Sequence, residues 1–147
     1  MPDGAQIQAS FANAITEIGR DAWDACAGSG NPFLSYDFLE ALEESGCAAA
    51  ETGWQPYHAR ISLEGMDAPL AVMPLYMKSH SYGEYVFDHA WAQAYERAGG
   101  QYYPKLQSSI PFVPATGPRL LSRADEMGQL ALLEAGRGLT DQLGLSS

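Results

Sequence analysis

The residues with the clearest potential for chemistry lie in one aromatic-rich segment, Ser81–Leu121. Asp88, His89, Lys105 and Arg119 are interleaved there with tyrosine, phenylalanine and tryptophan. A carboxylate or an imidazole can accept a proton, whereas an ammonium or a guanidinium can bind a carbonyl or carboxylate oxygen. The pattern therefore predicts either the wall of a pocket with polar ends or an ordinary aromatic core.

A compact polar motif in this segment is the run Tyr102-Tyr103-Pro104-Lys105, at the entrance to a predicted strand. Its two phenols and its ammonium are predicted to line a cleft and to face a carboxylate or a carbonyl. The alternative is a surface turn with packed rings. Further acidic and aromatic side chains can approach the same opening from the other side of the neighbouring helix: Tyr82, Glu84, Tyr85 and Asp88.

The three histidines differ in their predicted environments. His58 lies on the polar side of an alternating segment, which predicts a solvated side chain. His80 and His89 flank a strand–helix junction, but no third or fourth ligand follows at a recognisable spacing, so no metal site is predicted. His89 falls in the first turn of the predicted helix, where it is either a packing residue or a general base.

Motifs for nucleophilic hydrolysis and phosphate binding are absent, since the sequence contains no G-x-S-x-G, G-x-G-x-x-G or G-x-x-x-x-G-K-[ST]. Cys26 and Cys47 have no CxxC spacing, so we expect two buried thiols in a reducing compartment. No basic-then-apolar leader opens the sequence, and no apolar run is long enough to cross a bilayer. We therefore expect a cytoplasmic protein without a membrane span.

The composition indicates one globular domain over residues 1–147. Hydrophobic residues make up 46% of the chain and charged residues 18%, which favours a sizeable core over disorder. The net charge is −10, with only eight Lys and Arg residues. Such a surface repels phosphate backbones and anionic lipid, so nucleic acid and membrane surfaces are not expected as partners.

The elements that must position these residues are short helices and strands. The predicted helices are Asp21–Ala27, Ser35–Glu44, Asp88–Ala98 and one after Ser122. The predicted strands are an edge strand within Ile7–Ile18, then Tyr57–Leu63, Leu70–Lys78, Lys105–Val113 and the short Arg119–Leu121. Pro74 interrupts the third of these strands and must sit at a bulge or at an unpaired edge.

Three helix starts carry capping signals, and the first is Ser35, which is predicted to cap the second helix. Asp88 is predicted to cap its helix, with Phe87 before it as part of a hydrophobic staple. Ser122 and Asp125 fit a capping box for the last helix. Two glycines inside that helix weaken it and are expected to allow close packing on the sheet, namely Gly136 and Gly138.

Several stretches resemble one known family: NPFLSYDFLEALEESGC, GWQPYH and, most specifically, YGEYVFD, YYPKL and PFVPATGPRLL. With the closing helix they make the chain similar, from about Asp21 onward, to FemAB-like proteins. These are described as GNAT-type N-acyltransferases or as peptidoglycan biosynthesis/recognition proteins. The resemblance implies an α/β (α+β), GNAT-like fold with a mixed, mainly antiparallel sheet flanked by helices. The helix Asp88–Ala98 would be a family insertion between two strands.

The same resemblance has consequences for domain organisation and for cofactors. Fem-type proteins carry two such domains in tandem, which implies an N-terminal fragment that lacks the strand expected after Gly144 and the second domain. Acetyl-CoA-binding relatives place a Q/R-x-x-G-x-G/A loop where this chain has TGPRLLSRADEMGQ, so no acyl-CoA cofactor is expected. Fem-type enzymes use aminoacyl-tRNA as donor, but the net charge argues against tRNA binding by this half.

The resemblance implies transfer of an acyl or aminoacyl group to an amine in cell-wall precursor metabolism, with a small-molecule or peptide-like substrate. Such a reaction needs a base and donors for an oxyanion, and we expect Asp88 and His89 on the base side. The expected substrate-binding residues are Tyr82, Glu84, Tyr102, Tyr103, Lys105 and Arg119. Tyr103 and Lys105 would bind a carbonyl or carboxylate, and Arg119 an anion. The isolated chain is expected to be inactive.

Two other functions fit the same residues. A non-catalytic module could bind a peptide or a cell-wall precursor in the aromatic pocket while the chemistry occurs elsewhere. Alternatively, the chain is a scaffold whose aromatic residues all belong to the core.

Overall fold

The computed structural model describes residues 6–84 and 88–147. This part of the chain contains two antiparallel sheets and four α-helices. The strands are β1 (Ile7–Ala12), β2 (Gln55–Pro56), β3 (His58–Leu63), β4 (Ala71–Met73), β5 (Tyr76–Lys78), β6 (Lys105–Gln107) and β7 (Leu121–Ser122). The helices are α1 (Arg20–Ala27), α2 (Tyr36–Glu44), α3 (His89–Arg97) and α4 (Asp125–Leu143). This mixed architecture confirms the expected α+β class and is consistent with a GNAT-like fold.

The seven strands divide into two sheets. One has the strand order β1-β3-β4-β7 and the other the order β2-β5-β6. β1 lies at an edge, as predicted, and pairs with β3 from Ile7 opposite Leu63 to Ala12 opposite His58. The smaller sheet brings two segments together that are distant in sequence, because β5 pairs with β6.

Pro74 separates the two sheets. The predicted single strand Leu70–Lys78 is in fact two short strands, β4 in the larger sheet and β5 in the smaller one. Proline has no N–H to continue a ladder, and its carbonyl accepts a hydrogen bond from Ser108 Oγ at 2.7 Å. The predicted strand Lys105–Val113 is shorter for a similar reason: after β6, only an isolated bridge joins Ile110 to Val113 around Pro111.

Helices cover both faces of the larger sheet. Because successive residues of a strand point to opposite faces, Val72 of β4 packs toward α1 and α2, whereas Ala71 and Met73 pack toward α4. The first face also contains other fully buried side chains: Ile15, Trp23, Leu34 and Leu39. A separate small cluster of Ala48, Trp54 and Tyr76 lies against the smaller sheet.

The helix ends agree with the sequence in part. Ser35 caps α2 as predicted, because its Oγ accepts the Phe38 N–H at 3.3 Å. The capping box predicted for the last helix is wrong, since α4 begins at Asp125 with Ala124 as its N-cap and without a side-chain cap. Ser122 lies in β7 instead, and its Oγ accepts the Ala124 N–H at 3.0 Å.

The close approach of α4 to the sheet occurs at a glycine that the sequence analysis did not single out. A Cβ at Gly128 would lie 3.2 Å from Ala71 Cβ and would collide with Ser122 Oγ. At Gly136 a Cβ would make only an ordinary contact with Met73, and at Gly138 it would point into open space. The predicted role of the two later glycines in close packing is therefore wrong.

Two further expectations concern the burial of the cysteine thiols and the presence of a membrane-spanning helix. Cys26 is buried, but Cys47 is exposed, so the expectation of two buried thiols is wrong for Cys47. Within the described residues, no helix combines the length and the apolar character needed to cross a membrane.

Candidate functional site

The smaller sheet places two lysines directly opposite each other. Lys78 ends β5, Lys105 begins β6, and the two are register partners in the antiparallel pair. They are also the only lysines in the sequence. Like charges directly opposite on a sheet are destabilising, and each ammonium has its own carboxylate, Glu84 for Lys78 and Asp88 for Lys105. We call these four residues the paired-lysine cluster.

The inner half of the cluster is largely shielded from solvent. The Lys78 side chain is 0% exposed and that of Glu84 is 9% exposed. Lys78 Nζ lies 3.1 Å from Glu84 Oε2 and 3.6 Å from the centroid of the Trp54 ring, a cation–π contact. Burial lowers the pKa of Lys78, and the hydrogen bond to Glu84 opposes that shift without cancelling it.

The outer half of the cluster is centred on the Asp88 carboxylate. Lys105 Nζ lies 2.5 Å from Oδ2, the Tyr103 hydroxyl donates to Oδ1 at 2.7 Å, and the Tyr102 hydroxyl donates to Oδ2. Burial would raise the pKa of Asp88, but the hydrogen bonds from Lys105 and the two tyrosines outweigh it and hold this pKa well below its usual range. Asp88 is therefore an anion that orients three donors.

The hydrogen bonds around Asp88 continue to Ser81. Ser81 Oγ lies 2.6 Å from the Tyr103 hydroxyl oxygen. Because the phenol proton of Tyr103 goes to Asp88, the Ser81 hydroxyl is the donor in this contact. Burial and the hydrogen bond to Asp88 raise the pKa of Tyr102, and burial raises that of Tyr103, so both phenols stay protonated.

Lys105 remains a cation in this arrangement. Burial would lower the pKa of Lys105, but its hydrogen bonds to Asp88 and to the Tyr102 oxygen, the latter at 2.7 Å, raise it overall. The ammonium also lies 4.4 Å from the centroid of the Tyr102 ring. Ser146 Oγ donates to the Tyr102 carbonyl at 2.6 Å, and the Leu106 N–H donates to the Ser147 carbonyl at 2.8 Å. These two hydrogen bonds join residues 146–147 to the segment that carries Tyr102 and Lys105.

A cavity of about 600 Å³ opens beside Tyr103, and we call it the histidine cavity. Its polar lining includes His80, Ser81, Tyr82, His89, Glu96 and Tyr103. The Tyr82 ring lies between the two imidazoles, with centroid distances of 4.9 Å to His80 and 6.1 Å to His89. Gly53 permits the placement of His80, because a Cβ there would lie 2.9 Å from the His80 carbonyl oxygen.

A second cavity, of about 340 Å³, lies on the Glu84 side of the cluster, and we call it the arginine cavity. Its lining includes Trp54, Glu84, Gln107, Ile110, Phe112 and Arg119. Phe112 adopts a left-handed backbone with φ 62°, a conformation that costs a residue with a side chain about 1–2 kcal/mol. Such a cost is tolerated where the surrounding structure fixes the residue, and the Phe112 ring packs 5.6 Å from that of Trp54.

The structure brings most of the predicted site residues into one region. Asp88, Tyr102, Tyr103 and Lys105 form its connected centre, and Glu84 pairs with the neighbouring Lys78. Tyr82 and His89 line the histidine cavity, while Arg119 lies in the arginine cavity. Nothing in these positions tests the individual roles predicted for these residues, which stay predictions.

The predicted cap and hydrophobic staple at the start of α3 have different outcomes. Asp88 occupies the N-cap position of α3, but its side chain makes no capping hydrogen bond, so the predicted cap is wrong. The carboxylate faces Tyr102, Tyr103 and Lys105 instead. The proposed staple residue Phe87, like Tyr85, lies outside the described residues.

Sequence reasoning missed three members of the site: Lys78, Ser81 and Trp54. A lysine at the end of an otherwise apolar strand was the available signal for Lys78, because an unpaired charge is rarely fully buried. No pattern identified Ser81 or Trp54, whose roles depend on the pairing of β5 with β6.

His58 is not part of either cavity. It is fully buried, which contradicts the predicted solvated side chain. Its Nδ1 accepts the Leu75 N–H at 3.3 Å, so Nε2 carries the proton and donates to Glu43 Oε2 at 2.8 Å. The ring packs edge-on between Trp23 and Tyr76, which makes it a core histidine. Across the described residues, no group of three or more His, Cys, Asp or Glu side chains is arranged to hold a metal ion.

Comparison with known proteins places the chain in a family. A FemAB-like family model, described as peptidoglycan biosynthesis/recognition, matches residues 14–147. No curated protein and no solved structure gave a significant match. The family match covers nearly the whole sequence and includes both cavities and the paired-lysine cluster. The chain therefore belongs to the FemAB-like family of peptidoglycan biosynthesis and recognition proteins.

Proposed function

We propose that this chain transfers an acyl or aminoacyl group to an amine of a peptidoglycan precursor. Membership of the FemAB-like family supplies the peptidoglycan-related role. The observation that carries the chemical part is the hydrogen-bonded set around Asp88, which borders a cavity large enough for a small substrate. Ser81, Tyr103, Asp88, Tyr102 and Lys105 form one continuous network there.

The base in this proposal is His89. An amine attacks only in its neutral form, so a group at the cavity wall must take a proton from the ammonium or from the tetrahedral intermediate. Asp88 is a poor proton acceptor because its pKa is held below the usual range by its donors. His89 lines the histidine cavity at the start of α3. Asp88 acts as the residue that positions Lys105 and Tyr103.

Lys105 has the complementary role of stabilising negative charge; it does not line the histidine cavity itself, but its network reaches the cavity wall at Tyr103 and Ser81. When the amine nitrogen attacks, a C–N bond forms and the acyl carbonyl oxygen becomes an oxyanion. Lys105 remains cationic, and its ammonium is held by Asp88 and Tyr102. Collapse of the intermediate breaks the bond to the ester or thioester leaving group, which takes up a proton. A cation that is already oriented loses little free energy to reorganisation in this step.

The test is an acyl-transfer assay read by mass spectrometry. Wild-type protein is incubated with a lysine-containing peptidoglycan stem peptide and an activated acyl or aminoacyl ester, and the mass gain of the peptide is followed. His89→Gln and Lys105→Met are each expected to lower the rate by about 100-fold or more. Arg137→Gln, an exposed change on α4, is the matched control. Transfer that proceeds at the control rate in both variants contradicts the proposal.

One observation favours a second function, a recognition module without turnover. The Asp88 carboxylate already accepts three hydrogen bonds, which suits a rigid binding surface as well as a catalytic one. This function predicts that the stem peptide binds to wild-type protein, that Lys105→Met weakens the binding, and that no mass gain appears with any donor.

A further inference from the structure

The arginine cavity has a charge pattern distinct from that of the histidine cavity. Glu84 is its acidic residue, but one oxygen of that carboxylate is already paired with the buried Lys78 ammonium. Arg119 contributes the remaining charge, and among the described residues no carboxylate lies within 4.0 Å of its guanidinium. The cavity therefore presents one uncompensated positive charge in a protein whose net charge is −10.

The Arg119 guanidinium is fixed in position by the backbone. Nη1 donates to the Gly117 and Pro118 carbonyls at 3.1 and 3.0 Å, and Nη2 donates to the Ala115 carbonyl at 2.9 Å. A guanidinium carries five N–H groups. Within the described contacts, the Nε hydrogen and one Nη2 hydrogen remain as donors for an anion such as a carboxylate.

Aromatic and aliphatic side chains form the apolar part of the cavity wall, which also contains the polar residues Gln107 and Ser109. Trp54 is 1% exposed and Ile110 2% exposed, and Phe112 is held against Trp54 in its left-handed backbone conformation. A partly buried guanidinium beside such a wall is costly without an anion, and burial lowers the pKa of Arg119. The volume of about 340 Å³ suits a ligand the size of an amino acid or a dipeptide.

We propose that the arginine cavity binds the free carboxylate of a short peptide with small apolar side chains. The carboxylate pairs with the remaining donors of Arg119, and the methyl-sized side chains pack on the more accessible apolar part of the wall, at Phe112 and Val113. The cavity is a binding subsite that adjoins the paired-lysine cluster at Glu84. Because binding is measured at equilibrium without any donor, its outcome is separate from that of the acyl-transfer assay.

The test uses NMR of protein labelled with ¹⁵N, with the Trp54 indole signal assigned by Trp54→Phe. Acetyl-Ala-Ala with a free carboxylate is titrated in parallel with its C-terminal amide. We expect a saturable shift of the Trp54 signal with the acid and an affinity for the amide lower by about tenfold or more, because the amide loses a charge-assisted pair. Equal affinities for acid and amide, or no saturable shift, would overturn the proposal.

Variants and a smaller ligand complete the experiment. Arg119→Gln is expected to weaken binding of the acid by about tenfold or more, whereas Arg137→Gln should bind as wild type. If Arg119→Gln loses its folded spectrum, the acid–amide comparison in wild-type protein decides alone. Folded Arg119→Gln that binds like the control contradicts the role of Arg119. Acetate that binds as tightly as the dipeptide contradicts the role of the apolar wall.

Discussion

Lys78 and Lys105 face each other across two hydrogen-bonded strands, yet their surroundings have opposite effects on them. Around Lys78, solvent is excluded, Trp54 covers the ammonium, and burial lowers the pKa. Around Lys105, burial acts in the same direction, but Asp88 and Tyr102 supply enough hydrogen bonding to raise the pKa. Both carry a single carboxylate partner, so the partner alone does not explain the difference.

The number of oriented hydrogen-bond acceptors decides whether burial or hydrogen bonding dominates the pKa of each lysine. Among the described residues, Lys78 makes one polar contact and faces the Trp54 ring, whereas Lys105 contacts both a carboxylate and a phenol oxygen. A buried charge with one partner contributes little net stability, although removing either member of the pair is costly. Lys78 therefore belongs to the structural support, and Lys105, at the edge of the site, keeps the charge that the proposed chemistry uses.

The largest effect is expected from Lys78→Met. This change leaves the Glu84 carboxylate, which is 9% exposed, without its cation in a nearly dry site. We expect a loss of about 3–5 kcal/mol in the free energy of unfolding, measured by urea denaturation. The double change Lys78→Met with Glu84→Gln should recover most of that loss, because no buried charge is left unpaired. A single variant as stable as wild type would contradict the structural role given to Lys78.

Asp88→Asn should have a smaller but clear effect on stability. The amide cannot supply two charged acceptor oxygens to Tyr102, Tyr103 and Lys105, and hydrogen bonds to charged groups contribute about 1.5–3 kcal/mol. We expect a loss of roughly 2 kcal/mol in the free energy of unfolding at pH 7. Asp67→Asn, at an exposed position, is the control and should change stability by less than about 0.5 kcal/mol. Equal effects of the two changes would contradict the arrangement around Asp88.

The stability gap between wild type and Asp88→Asn should also depend on pH. The pKa of Asp88 is depressed in the folded state, so its contribution is present above the unfolded value of about 3.9 and is lost as pH falls through the folded pKa. The stability gap is therefore expected to be constant from about pH 5 to 7, because this range lies above the unfolded pKa of about 3.9. It is expected to shrink in more acidic solution. A gap that widens on acidification would contradict the direction of the shift.

Much of the fold was predictable from the sequence because its signals are local. The alternation in His58–Leu63 and the cap at Ser35 depend on neighbouring residues, and the helices α1 and α2 lie where the apolar spacing placed them. The division of Leu70–Lys78 between two sheets was not predictable, because it depends on which distant strands pair on each side of Pro74. The same limit hid the burial of His58, whose environment comes from Trp23 and Tyr76.

Part of the membership of the candidate site was predictable from the sequence, but its connections were not. Asp88, Tyr102, Tyr103 and Lys105 lie within a short aromatic segment, so composition alone marked them as a polar group. The position of Lys78 opposite Lys105 follows from the register of β5 and β6, which no local pattern encodes. Asp88 also carried a misleading signal, since an aspartate before a helix usually caps it, and here tertiary partners compete for the carboxylate.

A titration of the two lysine side chains tests most directly whether their surroundings shift the pKa values of Lys78 and Lys105 in opposite directions. Because the chain contains only two lysines, ¹³C-lysine labelling gives two side-chain signals, which Lys78→Met and Lys105→Met assign. We expect Lys78 to titrate below, and Lys105 above, the ordinary lysine pKa of about 10.4. Two lysines that titrate together at that value, or in the reverse order, would contradict this expectation.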